Sequence, residues 1–279
     1  MIDAAHLDSL YKAARIVLWV EDTLTRDYLR AAWGNTPDVA FYVAGGNEHI
    51  PRLVTAARQL PTPIGHVFGV LDRDFGRTNR PSWATADNFK LPRHEMENYL
   101  LDKDALSGIV PFNNRGRSIA DIDTEMQRLA ARQPAWLACR HAIQHLRGQA
   151  LQDFPSSPGV VHVPDVPAAI NRIVSSTWYT QVIGRLNAAV TTAEVTNQIN
   201  GAFGQYQADL TSGVWVESFS GKEIFRELRS YVYQPQHNPG EPDNDVAKAI
   251  GAWQLANNRV PQDITDLLSA LRTRVGLTP

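Results

Sequence analysis

The sequence predicts an α/β fold in which a parallel-sheet domain is followed by a mostly α-helical one. Three observations carry this. Three short, apolar, β-branched runs, "RIVLWVE", "VAFYVA" and "IGHVFGVLD", fall within residues 15–72. The segments between them have helical periodicity, and after about residue 100 that periodicity continues with few strand signals.

In chain order, "DAAHLDSLYKAA" sets Leu7, Leu10, Tyr11 and Ala14 at helical spacing ahead of the first strand. "TLTRDYLRAAWG" predicts a helix closed by Gly34, then comes the second strand and the turn "GGN". "EHIPRLVTAARQL" places Leu53, Val54, Ala57 and Leu60 on one helix face before the third strand. Strands alternating with helices of about ten residues imply right-handed parallel βαβ units. Beyond residue 110, "DIDTEMQRLAARQPAWLACRHAIQHLRGQAL", "PAAINRIVSSTWYTQVIGRLNAAV", "GKEIFRELRSYVY", "DVAKAIGAWQLANN" and "PQDITDLLSALRTRVG" read as helices. The Pro- and Gly-rich stretches near 154–159 and 234–244 read as loops. The expected division is an α/β domain over 1–110 and a helical domain over 111–279.

With 279 residues, 43% of them hydrophobic and 20% charged, the chain can bury a full core. A formal charge of −2 excludes a polybasic surface, so nucleic-acid binding has to be local. The single cysteine, Cys139, excludes an internal disulfide and a cysteine-based zinc cluster within one chain, and its apolar setting predicts a buried thiol. The first twenty residues have neither the basic start of a signal peptide nor the length of a membrane span. A cytoplasmic protein is expected.

The chemistry concentrates where strands end. "HVFGVLDRDFG" runs an apolar strand into Asp72 and Asp74, and "IVLWVED" ends in Glu21 and Asp22. In an open parallel sheet that edge is where ligands bind. Converging carboxylates repel one another unless a cation compensates them. Oxygen ligands with no histidine or cysteine cluster point to Mg²⁺ or Mn²⁺, one or two ions, rather than zinc. Asp22 also suits a helix cap. The segment "LPRHEMENYLLD" adds Glu95 and Glu97, which a helix would point about 200° apart. Glu97 therefore suits a first helical turn whose acid faces the sheet edge, and His94 is expected at the surface or just behind the acids.

The set "VLWVED", "AGGN", "GVLDRDFG", "HEMENYLLD" and "FSGKEIFREL" resembles the TOPRIM-domain nuclease family, in particular the OLD-like, PARIS AriB-like anti-phage effector type. The motifs cover about the first hundred residues tightly and the remainder only through the "GKE" element. The resemblance implies a TOPRIM (Rossmann-like) domain in which Glu21 is catalytic and holds metal with Asp72, Asp74 and Glu97. Asp22 and Glu95 are further candidates. The chain departs from the family where many members read Val-Glu-Gly followed by a later acid. Asp22 and Thr25 occupy those positions here, which leaves the second ion open.

Lys222, opening a helix after Ser220 and Gly221, is placed unfavourably for the helix dipole unless it reaches toward a phosphate. Arg73, Arg77, Arg80, Arg93, Arg115 and Arg117 are candidates for gripping nucleic acid, and Trp83 for stacking on an unpaired base. The resemblance further implies an OLD-like ABC-type ATPase partner, and a homodimer is a candidate state of the free protein. Two other classes stay open. One is a TOPRIM module that binds without cutting. The other is a haloacid-dehalogenase-type phosphatase, although there the Asp-x-Asp belongs to the first strand and is followed by Gly-Thr, unlike "DRDFGRT" here.

Overall fold

The computed structural model of the protein describes residues 11–12, 14–74, 83–109, 112–150, 175, 177–189, 191–234 and 243–278. Strands β1 (Ile16–Val20), β2 (Val39–Val43), β3 (Val67–Leu71) and β4 (Asn88–Lys90) form a parallel sheet in the order β2-β1-β3-β4. The protein is therefore α/β. Every residue of β1 and β3 is buried, as continuous apolar runs require in a sheet covered on both faces.

Helices α1 (Thr23–Trp33) and α2 (His49–Arg58) make the two crossovers. The chain moves from β1 to β2 in one direction and back across β1 to β3 in the other, so right-handed crossovers put the two helices on opposite faces. Gly34, at φ 68°, ends α1 in a conformation that costs glycine nothing. Helix α2 buries Ile50, Val54 and Ala57 against Val17, Trp19, Val67 and Leu71. Leu53 packs on the edge of that cluster and Leu60 is half-buried. At Gly69, in the middle of β3, a Cβ would stand 2.2 Å from Ile50 and 2.5 Å from Asn88.

After the sheet come a single 3-10 turn (Met96–Tyr99), then α3 (Lys103–Gly108), α4 (Ile119–Ala130), α5 (Pro134–Ala150), α6 (Thr177–Ala189), α7 (Thr192–Ser212), α8 (Trp215–Ser218), α9 (Gly221–Val232), α10 (Asp243–Ala256) and α11 (Gln262–Arg274). The chain divides into one compact unit over 1–131 with 214–279, and a second over 132–213. This differs from a division at residue 110, because the last helices build onto the sheet unit. Tyr28 of α1 donates to Gln254 Oε1 of α10 at 2.9 Å, and Trp33 Nε1 donates to the Ile264 carbonyl at 2.9 Å. Arg272 pairs with Asp38 at 3.0 Å and Arg274 with Asp87 at 2.8 Å.

Among the described residues the second unit contains α5, α6 and α7. Cys139 is exposed, contrary to the expected buried thiol, because α5 turns its neighbours Leu137, Ala138 and Ala142 inward instead. The first predicted helix lies largely outside the described residues, as do much of the 234–244 loop and all of the 154–159 loop. Among the described residues no helix is long and apolar enough to cross a membrane.

The α1–α10 crossing is set by Gly251, where a Cβ would meet the Tyr28 carbonyl at 2.8 Å and the Ala32 nitrogen at 2.9 Å. An alanine in an exposed helix would gain about 1 kcal/mol over glycine. Here Gly251→Ala is expected to destabilise by about 1–3 kcal/mol, because the neighbours are backbone and the helices have to part. Urea denaturation decides the sign, and a raised midpoint would show that the crossing is loose.

Candidate functional site

Strands β1 and β3 are neighbours, paired Val17 with Val67 through Trp19 with Gly69. Between them the connections reverse direction across the sheet, and such a switch point opens a crevice at the carboxyl ends of the strands. Glu21 and Asp72 are the first residues past Val20 and Leu71, so the sheet alone brings these two acids to one edge. The "AGGN" turn wraps the same edge: Ala44 N donates to the Val20 carbonyl at 2.8 Å and Gly45 N to the Glu21 carbonyl at 2.9 Å.

Asp74 is held in the left-handed region at φ 47°. Aspartate tolerates that region better than most residues, and the surroundings fix it there. Its backbone nitrogen donates to the His94 carbonyl at 2.8 Å, and its carbonyl lies 2.6 Å from His94 Nδ1, which must carry a proton to make that bond. Asn47 Nδ2 donates to Asp74 Oδ2 at 3.3 Å. His94 is thus fully buried behind the acids as the brace of Asp74, not at the surface.

The segments 93–98 and 216–222, far apart in sequence, are laced together. Asn98 Oδ1 accepts from Glu95 N at 2.8 Å, while its Nδ2 donates to the carbonyls of Val216 at 2.8 Å and Phe219 at 2.9 Å. Glu95 Oε2 accepts from Ser220 Oγ and from Lys222 N, both at 2.9 Å. His94 N donates to the Glu217 carbonyl at 2.8 Å. At Gly221 a Cβ would stand 2.4 Å from the Asn98 nitrogen, so the start of α9 lies directly on the 3-10 turn. This lacing brings exposed Lys222 to the acids, 125 positions beyond Glu97.

The electrostatics describe an undercompensated acidic site. Burial pushes Glu21 above its ordinary carboxyl value, and Asp22, Asp74 and Glu95 add to the rise while Lys222 opposes it. Asp72 is pushed well up by burial and then by Glu97, Glu21, Asp74 and Glu95. Burial likewise raises Glu97 to about 7, with Glu95 and Asp22 adding and Lys222 again opposing. A cation would relieve all three. Among the described residues no three His, Cys, Asp or Glu side chains form a ready-made metal cage. Mg²⁺ needs none, since it binds through one or two carboxylates and keeps several waters. Glu21, Asp72, Asp74 and Glu97 offer oxygen donors only, the type that such an ion takes.

Other candidates take different places. Asp22 caps α1, its Oδ1 accepting from Thr25 N at 2.8 Å. Glu95 commits Oε2 to the start of α9. Arg93 lies over the Tyr99 ring at 4.4 Å and donates to the Asn98 carbonyl at 2.9 Å, so it serves the fold. Arg73 donates to the Glu217 carbonyl at 2.8 Å from a half-buried position beside the acids. Arg117 lies over Tyr231 at 4.3 Å and the Arg115 nitrogen reaches the Val232 carbonyl at 3.3 Å. Both therefore sit by the far end of α9, about 15 Å from Lys222 along the helix. Trp83 is buried edge-on against Phe89 at 5.7 Å and offers no stacking face. Arg77 and Arg80 lie outside the described residues.

Sequence reasoning missed Asn98, Ser220 and Asn47. Ser220 had a signal in the pattern Ser-Gly-Lys-Glu, since Ser and Glu three apart mark a helix start, and Ser220 Oγ does accept from Glu223 N at 3.4 Å. Comparison with protein-family models, curated proteins and solved structures finds no match for the chain.

Proposed function

We propose that the chain is a TOPRIM-type nuclease that cleaves phosphodiester bonds in DNA or RNA with Mg²⁺ or Mn²⁺. The observation that carries this reading is the meeting of Glu21 and Asp72 at the β1–β3 switch point with Asp74, Glu97 and Lys222 around them. The strand-end motifs that resemble the TOPRIM family supply the same residues.

Asp72, Asp74 and Glu97 would hold the ion, with Glu21 either sharing a second ion or moving the proton of the attacking water. The ion, when bound, polarises the phosphoryl group and acidifies water. Lys222, exposed beside the acids, offsets charge that develops on the phosphoryl oxygens. Arg73, beside the acids, is the arginine best placed to grip the nucleic-acid backbone. In this reading the protein is a cytoplasmic, toxic effector of anti-phage defence. An OLD-like ATPase restrains or releases it, and a homodimer is a state of the free chain.

Incubation with plasmid, single-stranded DNA and total tRNA tests the activity. Cleavage in Mg²⁺ or Mn²⁺ that EDTA stops is expected. The second reading, a module that binds without cutting, is favoured by the capping role of Asp22 and the lack of a preformed cage among the described residues. Retention of nucleic acid without any cleavage would select it.

A further inference from the structure

We infer that Glu95 and Asn98 are positioning residues that set Lys222 against the acidic edge, and that Glu95 is not a metal ligand. The inference rests on the reading of Lys222 as a group that meets the phosphoryl oxygens.

Three features of the geometry lead there. The Oε2 of Glu95 already accepts two hydrogen bonds, from Ser220 Oγ and the Lys222 nitrogen, each at 2.9 Å. Its Oε1 stands 3.8 Å from His94 Nε2. Glu95 is only 8% exposed, so its charge is turned into the protein and toward the first backbone amides of α9. A carboxylate there is favoured by both the unsatisfied amides and the helix dipole. It offsets the unfavourable placing of a lysine at that end.

Asn98 completes the device. It is fully buried and spends its side chain on Glu95 N and on the carbonyls of Val216 and Phe219, the residues that lead into α9. The close approach at Gly221, where a Cβ would stand 2.4 Å from the Asn98 nitrogen, leaves no room for α9 to slide. The first turn of α9 is thereby fixed to the same short segment that carries Glu97. Lys222 and Glu97 move as one piece, so a carboxylate and the cation that opposes its repulsion keep their spacing.

The test uses the full chain with Glu95→Ala, Glu95→Gln, Lys222→Met and the double variant Glu95→Ala with Lys222→Met. Amide exchange in metal-free protein reads the clamp directly. Glu95→Ala should lose protection at the Lys222 and Glu223 amides by at least about tenfold, while Glu95→Gln, whose amide oxygen still accepts, retains most of it. Mn²⁺ affinity by calorimetry should stay within about twofold in both Glu95 variants. In cleavage, kcat should fall by about tenfold or more in Glu95→Ala with KM little changed, and Gln should recover most of it. The double variant should be no slower than Lys222→Met alone, because a residue acting through Lys222 has nothing left to position.

Unchanged amide protection in Glu95→Ala, a loss of Mn²⁺ affinity in Glu95→Gln, or multiplying effects in the double variant each overturn the inference. Full activity in Lys222→Met fails the catalytic reading of Lys222 instead, and the exchange and Mn²⁺ measurements still decide whether Glu95 clamps α9 or binds metal.

Discussion

Asp72→Asn is expected to cut cleavage by on the order of a thousandfold or more while making the metal-free protein more stable than its parent at pH 7.5. The two effects have one cause. Asp72 closes β3 among Glu21, Asp74, Glu95 and Glu97, and burial with that surrounding charge pushes its carboxyl well above the ordinary range. In the fold its charged form is disfavoured, and an amide of the same shape removes the repulsion. The same amide cannot supply the anionic oxygen that a hard cation needs. Urea denaturation in EDTA, run beside a cleavage assay in Mn²⁺, checks both halves. A variant that is less stable and still cuts would mean that Asp72 is a structural residue.

Glu97→Gln is expected to change how stability depends on pH. The Glu97 carboxyl rises from an ordinary value of 4.5 to about 7 in the fold. The folded state therefore holds a proton that the unfolded state has released, and the parent loses stability as pH rises from about 4.5 through 7. Glutamine has no such dependence. The stability of the variant relative to the parent should grow by up to about 1.4 kcal/mol per pH unit across that window, to a ceiling of roughly 3.4 kcal/mol before solvent screening, and level off above it. The buried imidazole of His94 is pushed below its ordinary value and acts in the opposite sense, costing stability as pH falls. It is common to both proteins and cancels in the difference to first order. Denaturation in EDTA at pH 5, 6, 7 and 8 reads this out, and a difference that is flat with pH would contradict the burial of Glu97 beside other acids.

What could be read from the sequence, and what could not, divides along physical lines. β1, β2 and β3 were legible because each is an apolar run rich in β-branched and aromatic residues. β4 was not, since its three residues, Asn88, Phe89 and Lys90, contain one apolar side chain. α7 escaped because Gly201, Gly204 and many Gln, Asn and Thr residues blur its apolar face, and Tyr206 is the one residue it buries. The helix break at Pro134 was hidden inside a run that reads as one helix, although proline at a first helical position is an ordinary start.

At the site, Glu21 and Asp72 were legible because strand ends are local features and a parallel sheet aligns them. For Asp22 the sequence allowed both a helix cap and a metal ligand, and the cap is what forms. The role of Glu95 was not legible, because a carboxylate that caps a helix and one that awaits a cation look alike in sequence. For Glu95 the helix that it caps begins more than 120 residues later. The arginines divide similarly. Arg93 and Arg117 find aromatic faces at Tyr99 and Tyr231, and the Tyr231 partner could not be foreseen from spacing.

In the proposed function the edge formed by Glu21, Asp72, Asp74 and Glu97 holds a hard divalent cation. Calorimetric titration of Mn²⁺ into the full chain at pH 7.5 tests it most directly, with Asp72→Asn and Asp74→Asn alongside. Binding of one or two ions to the parent is expected, with a loss of affinity of about tenfold or more in each variant. Equal affinity in parent and both variants, or no binding to the parent at millimolar Mn²⁺, would contradict it.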